Sequence, residues 1–218
     1  MAASLVVFDL DGTLVDSGQD LADAGNALLA HYGKPPLPDD EVIGMVGDGA
    51  RALVRRLLAA AQATVPLEEA LAVFLACYDE RLLRTTRPYE GIVNTLEALA
   101  RTTRLAVLTN KPQRATDRLL EGLNLARYFA DVIGGDGPLP RKPDPGGLRE
   151  LMKRGVADAD DTLMVGDSRA DVEAAREAGV RVCLAAYGFG FRHIPESDRR
   201  GSSWVIERPT DLIAIVSA

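Results

Sequence analysis

Phe8-Asp9-Leu10-Asp11-Gly12-Thr13-Leu14-Val15-Asp16 sets two carboxylates two residues apart, where the apolar run Leu5 to Leu10 meets a glycine turn. Side chains alternate across an extended strand, so Asp9 and Asp11 should leave the sheet edge in the same direction if that run is a strand. Like charges so close need a bound cation, or a division of labour in which one group stays ionised while the other carries a proton.

Working outward, short apolar runs recur at Leu5 to Leu10, Leu105 to Asn110, Val132 to Gly135, Leu163 to Gly166 and Arg181 to Ala185, with helical patterns between them. Strands buried on both faces read as such runs, and parallel strands need crossover helices. The expected fold is therefore α/β, a doubly wound, mostly parallel Rossmann-like sheet with ligands at the strand carboxyl ends. Ser203 to Val216 reads as a last short strand and helix. Between the first two runs the apolar spacing is helical throughout, with stripes Leu53, Val54, Leu57, Leu58, Ala61 and Leu71, Phe74, Leu75, Tyr78, Leu82, and with Pro66 in a first helical turn. These stripes read as core packing of an inserted α-helical cap over residues 17–87, on a catalytic core of residues 1–16 and 88–218. The edges Asp16-Ser17-Gly18 and Thr85-Thr86-Arg87-Pro88 read as linkers or hinges.

The 218 residues carry 25 basic and 32 acidic side chains, a net charge of −7, which argues against a nucleic-acid surface and for a small-molecule partner. The run Leu5 to Phe8 is cut short by Asp9 and has no basic stretch before it, so it is neither a signal peptide nor a membrane span, and the expected compartment is the cytoplasm. Cys77 and Cys183 lack metal-type spacing and read as reduced thiols. His31 and His193 show no partner pattern and take no role.

Three more segments fall at strand ends. Leu108-Thr109-Asn110-Lys111 offers a hydroxyl and an amide, residues that also serve as turn and cap formers. Arg141-Lys142-Pro143-Asp144-Pro145 is a stiff loop able to aim Lys142. Val165-Gly166-Asp167-Ser168-Arg169-Ala170-Asp171 ends a strand in Gly-Asp and places a second carboxylate over the first turn of a helix starting near Ser168, where it could equally be a cap. Four carboxylates (Asp9, Asp11, Asp167 and Asp171) would then converge with one lysine. Magnesium, a hard cation that binds through carboxylates plus a substrate phosphate, resolves that excess, and Lys142, Thr109 and backbone amides can receive phosphoryl oxygens.

In their order, Asp9-Leu10-Asp11-Gly12-Thr13, Thr109, Lys142, and Gly166-Asp167-Ser168 with Asp171, these segments resemble the four motifs of the haloacid dehalogenase superfamily of phosphohydrolases. The resemblance implies that Asp9 attacks phosphorus and forms an aspartyl-phosphate, and that Asp11 is first acid and then base. It implies that Asp9, the Asp11 backbone carbonyl and Asp167 hold magnesium, that Asp171 orients a metal-bound water or the lysine, and that Thr109 and Lys142 steady the phosphoryl group. Asp11 further implies phosphate chemistry, since the superfamily's true dehalogenases lack it. Lys34, before Pro35-Pro36, reads as solvated rather than as the Schiff-base lysine of the phosphonate-cleaving branch.

Smaller features, Asp11 to Ser17, Val46-Gly47-Asp48-Gly49-Ala50, Thr109-Asn110-Lys111-Pro112 and Tyr187-Gly188-Phe189-Gly190, resemble the branch that hydrolyses 2-phosphoglycolate. The expected substrate is a small 2-phospho-carboxylic acid, met by Thr109, Asn110 and Lys142, by the Gly49 turn unless it is a tight turn alone, and by Arg51 or Arg55 if their helix face looks into the site rather than into solvent. A phosphatase for sugar phosphates, nucleotides or pyrophosphate, a phosphoryl-transferring mutase, and a non-enzymatic binding protein are the other readings. The cap distinguishes the first from the expected substrate, and phosphate retention marks the second.

Overall fold

Leu5, Val6, Val7 and Phe8 are all buried, as a strand covered on both faces requires, and they form β1 (Leu5–Phe8) at the centre of a six-stranded sheet. A computed structural model describes residues 3–217; the ends of the two core segments expected from sequence, 1–2 and 218, lie outside the described residues. The remaining sheet strands are β4 (Arg104–Leu108), β5 (Asp131–Ile133), β6 (Thr162–Gly166), β7 (Arg181–Ala185) and β8 (Trp204–Ile206), in the order β5-β4-β1-β6-β7-β8, with every pairing parallel. Alternation divides them between two cores: Val6, Phe8, Val107 and Val165 face one side, and Leu5, Val7, Leu108 and Met164 the other. The order reverses on either side of β1, between β4 and β6, so the crevice at the carboxyl ends of these three strands is the binding position of an open α/β sheet.

β1 stops at Phe8, two residues short of the expected strand. Asp9 still donates its amide to the Val165 carbonyl at 2.9 Å, but from Leu10 the chain turns, with Leu14 and Val15 amides both returning to the Leu10 carbonyl. Gly12 takes φ +85°, in the left-handed region open to glycine, which makes the turn possible.

The two segments read as linkers are instead paired. β2 (Val15–Asp16) and β3 (Arg87–Pro88) form an antiparallel ribbon, Val15 opposite Pro88 and Asp16 opposite Arg87. Between them run α1 (Gly18–His31), α2 (Asp39–Ile43), α3 (Ala50–Ala60) and α4 (Leu67–Asp79). Leu53, Val54, Leu57 and Leu58 of α3 and Phe74 and Tyr78 of α4 are buried, matching the stripes, while Pro66 stands one residue before α4 and Leu75 is partly exposed. Asp20 of α1 is fully buried and accepts the amides of Thr85 and Thr86, each at 3.0 Å, and their hydroxyls at 2.6 and 2.7 Å, which ties the insertion's two ends together. The core is completed by α5 (Ile92–Leu99), α6 (Gln113–Gly122), α7 (Gly146–Gly155), α8 (Arg169–Ala178), α9 (Glu196–Arg200) and α10 (Asp211–Ser217). Among the described residues no helix is long and apolar enough to cross a membrane. Cys77 and Cys183 are unpaired, and burial pushes the Cys183 thiol up to about 12.

Candidate active site

Asp9 leaves the end of β1 with Oδ1 fixed twice, by its neighbour's amide, Leu10 N at 2.7 Å, and by Lys142 Nζ at 2.9 Å. Lys142 comes from the stiff loop before α7 and also reaches Asp171 Oδ1 at 2.6 Å. Asp171 is both a cap and a site residue. Its Oδ2 accepts Ser168 N and Ser168 Oγ at 3.0 and 2.6 Å, closing a capping box at the start of α8, while Oδ1 holds the lysine.

Asp167, past the end of β6, is 1 % exposed and accepts Gly190 N at 2.8 Å and Thr13 Oγ1 at 3.2 Å. A Cβ added at Gly12 would fall on its carboxylate, so the glycine serves close approach as well as the turn. Here the segment Tyr187 to Gly190 finds its place: Gly190 supplies the amide and Tyr187 donates its hydroxyl to the Thr13 carbonyl at 3.1 Å.

One oxygen from each of Asp9, Asp167 and Asp171 lies within 4.8 Å of the others. Burial raises the Asp9 carboxyl to about 7 although Lys142 opposes the shift, and burial together with the Asp9 and Asp171 charges raises Asp167 well above the usual carboxylate range. Burial alone would lower Lys142, but Asp171 and Asp9 outweigh it and hold the ammonium above its ordinary value. Three buried carboxylates thus gather beside one lysine, which contacts two of them, Asp9 and Asp171.

Asp11 stands apart from that cluster, contrary to the expectation that four carboxylates meet around a single lysine. Its two oxygens each lie 3.0 Å from Lys111 Nζ, and Oδ1 accepts Ser17 Oγ at 2.6 Å. Lys111 in turn donates to the Tyr78 hydroxyl of α4 at 2.5 Å. Opposing burial, the charge of Asp11 lifts the lysine above its normal value, while burial raises the Tyr78 phenol. Sequence reading missed both roles: Lys111 was visible only as the third residue of Thr109-Asn110-Lys111-Pro112, and Tyr78 only as one member of an apolar stripe.

Asp9 and Asp11 line one cavity of about 50 Å³ between the sheet end and the cap. Thr109, Asn110 and Lys111 border it from the core, and Gly49, Leu53 and Phe74 are among its cap residues. Asn110 Nδ2 donates to Gly47 O and Lys142 O, both at 2.9 Å, joining the cap turn to the lysine loop, while its buried Oδ1 has no partner among the described residues. Gly49 has φ +86°, and a Cβ there would come within 3.0 Å of the Asn110 carbonyl oxygen. Arg51 does not border the cavity; it is half-exposed and paired with Glu68, and Arg55 is exposed.

A parallel sheet with this acidic cluster at its switch point and a helical insertion after β1 is the architecture of the haloacid dehalogenase-like hydrolases, and the chain belongs to that family, whose sequence model matches residues 6–185. The chain is 43% identical over 216 residues to phosphoglycolate phosphatase 1 of Pseudomonas aeruginosa, covering 96% of this chain and 78% of that protein. It is 46% identical over 193 residues to the phosphoglycolate phosphatase of Rhodospirillum rubrum, covering 84% and 80%. A crystal structure of a predicted phosphoglycolate phosphatase from Haemophilus somnus superposes with a TM-score of 0.89 at 30% identity, covering 98% of this chain and 97% of that one.

Proposed function

We propose that the protein is a magnesium-dependent phosphatase that hydrolyses a small phosphate monoester, 2-phosphoglycolate, through an aspartyl-phosphate on Asp9. The observation that carries this reading is the placement of Asp9 on the cavity, oriented through Oδ1 alone, beside a carboxylate cluster that one lysine cannot neutralise. The names of the relatives support the substrate. In this reading residues 1–16 and 88–218 are the catalytic core and 17–87 the cap, working in the cytoplasm, where unpaired thiols persist.

The residues fit magnesium. The donors are all oxygen, as a hard cation requires, and the upward shift of Asp167 marks a charge that burial and its neighbours leave uncompensated. Asp9 and Asp167 would hold the ion with the Asp11 main-chain carbonyl, and Asp171 would orient a ligand water or Lys142. Bound there, magnesium would supply positive charge against the phosphoryl oxygens.

The chain's own groups perform the proton and phosphoryl movements. Leu10 N and Lys142 orient the Asp9 carboxylate through Oδ1, and one of its two oxygens attacks phosphorus. The ester P–O bond breaks, its electron pair passes to the leaving oxygen, and that oxygen takes the Asp11 proton. Asp11 next accepts a proton from the water whose oxygen attacks phosphorus; the bond to Asp9 breaks and phosphate departs. The Thr109 hydroxyl and Lys142 steady the phosphoryl oxygens.

Phosphate release measured on 2-phosphoglycolate, a hexose phosphate, a nucleoside monophosphate and pyrophosphate tests the substrate: 2-phosphoglycolate should lead, and equal rates across the panel would remove it. Asp9→Asn should abolish turnover, and activity matching wild type would overturn the nucleophile.

A further inference from the structure

In 2-phosphoglycolate one methylene separates the leaving oxygen from the carboxylate. Whatever cation receives that carboxylate must therefore stand directly beside the acid that serves the leaving oxygen. Of the residues bordering the cavity only Lys111 is cationic, and it touches Asp11. Arg51 is turned to Glu68 outside the cavity, and Lys142 is held between Asp9 and Asp171. The Lys111 side chain is 3 % exposed and fixed from the cap by Tyr78, while Leu53 and Phe74 make much of the facing wall apolar, so a buried anion in the cavity has this ammonium as its partner. The start of α3 at Gly49 and Ala50, which carries no side-chain cap, borders the same space.

We infer that Lys111, aimed by Tyr78, is the receptor for the substrate carboxylate, and that Asp11 is its stand-in while the cavity holds no substrate. Substrate binding exchanges one carboxylate for another on the same ammonium; Asp11, released from Lys111, takes up a proton from solvent water and turns to the leaving oxygen, which receives that proton as the ester bond breaks. An ester without a carboxylate leaves Asp11 on the lysine. Selectivity for 2-phospho-carboxylic acids is thereby expressed in kcat as well as in KM. This inference rests on the substrate proposed above.

The test compares 2-phosphoglycolate with ethyl phosphate, its counterpart without the carboxylate, in wild type, Lys111→Met and Tyr78→Phe. Because each preference is a ratio within one preparation, a partly unfolded sample does not alter it. Lys111→Met should lower kcat/KM on 2-phosphoglycolate by about 100-fold or more, the scale of losing one partner of a buried ion pair, and raise kcat on ethyl phosphate. Tyr78→Phe should shift the preference in the same direction by less. A wild type without preference removes the proposed substrate and the receptor together. A wild type with the preference and a Lys111→Met enzyme that keeps it removes the receptor alone. Equal losses on both esters in Lys111→Met would mean that Lys111 positions Asp11 for every ester, and would overturn the exchange.

Discussion

At Asp9, burial opposes ionisation. Its carboxyl is raised from 3.8 to about 7, so between about pH 4 and about pH 7 the folded chain keeps a proton that the unfolded chain has lost. That contribution to stability is complete below the lower value and disappears as pH rises through the upper one. In metal-free buffer the stability of wild type relative to Asp9→Asn should therefore fall across this window, as followed by denaturant titration. Added magnesium should raise the wild-type melting temperature more at about pH 8 than at about pH 5, because binding needs the carboxylates ionised. Asp9, Asp167, Asp171 and Lys142 were legible in sequence because each stands at a strand end or in a proline-stiffened loop, where chain direction dictates position. Lys111 and the separate place of Asp11 were not, since β1 ends at Phe8 and the turn that follows sends the second carboxylate to a different lysine.

At the scale of elements, the neck of the cap is held by one carboxylate. Burial would raise the Asp20 pKa, yet the Thr85 and Thr86 hydrogen bonds outweigh it and hold the group below the usual range. Asp20→Ala would strand the buried amide and hydroxyl of Thr86 and release those of the exposed Thr85 to solvent, at a cost on the order of 2 kcal/mol, readable as a lowered denaturation midpoint. Helical periodicity located α3 and α4 well, because their buried faces repeat at helical spacing. The same periodicity cannot tell a side chain packed within the cap from one that crosses to the core, which is why Tyr78 passed for core. Nor does it mark two-residue strands, so β2 and β3 read as linkers.

Across the whole molecule, cap and sheet meet through contacts distributed around the cavity: Asn110 with Gly47 O, Lys111 with Tyr78, and Asp79 of α4 with Arg114 and Arg118 of α6. The space of about 50 Å³ between Asp9, Lys111 and the cap is far below the 300 Å³ or more typical of pockets for drug-sized ligands, which suits a small ester. Leu53→Ala removes buried wall from the cap side. It should lower stability by roughly 2–5 kcal/mol and raise the rate on 2-phospholactate relative to 2-phosphoglycolate, measured as a ratio of kcat/KM. The parallel sheet and the insertion were legible from run lengths and spacing. The apolar character of the cavity roof was not, because it depends on which face of each cap helix meets the strand ends.

The ribbon of β2 and β3 brings the first and last residues of the insertion to neighbouring points, with Asp16 opposite Arg87. To the sheet, everything between these residues has the topology of one long loop whose ends already touch. A different roof could be grafted at this pair without moving a strand of the floor, so substrate choice and bond-breaking chemistry can be inherited, exchanged or engineered as separate pieces.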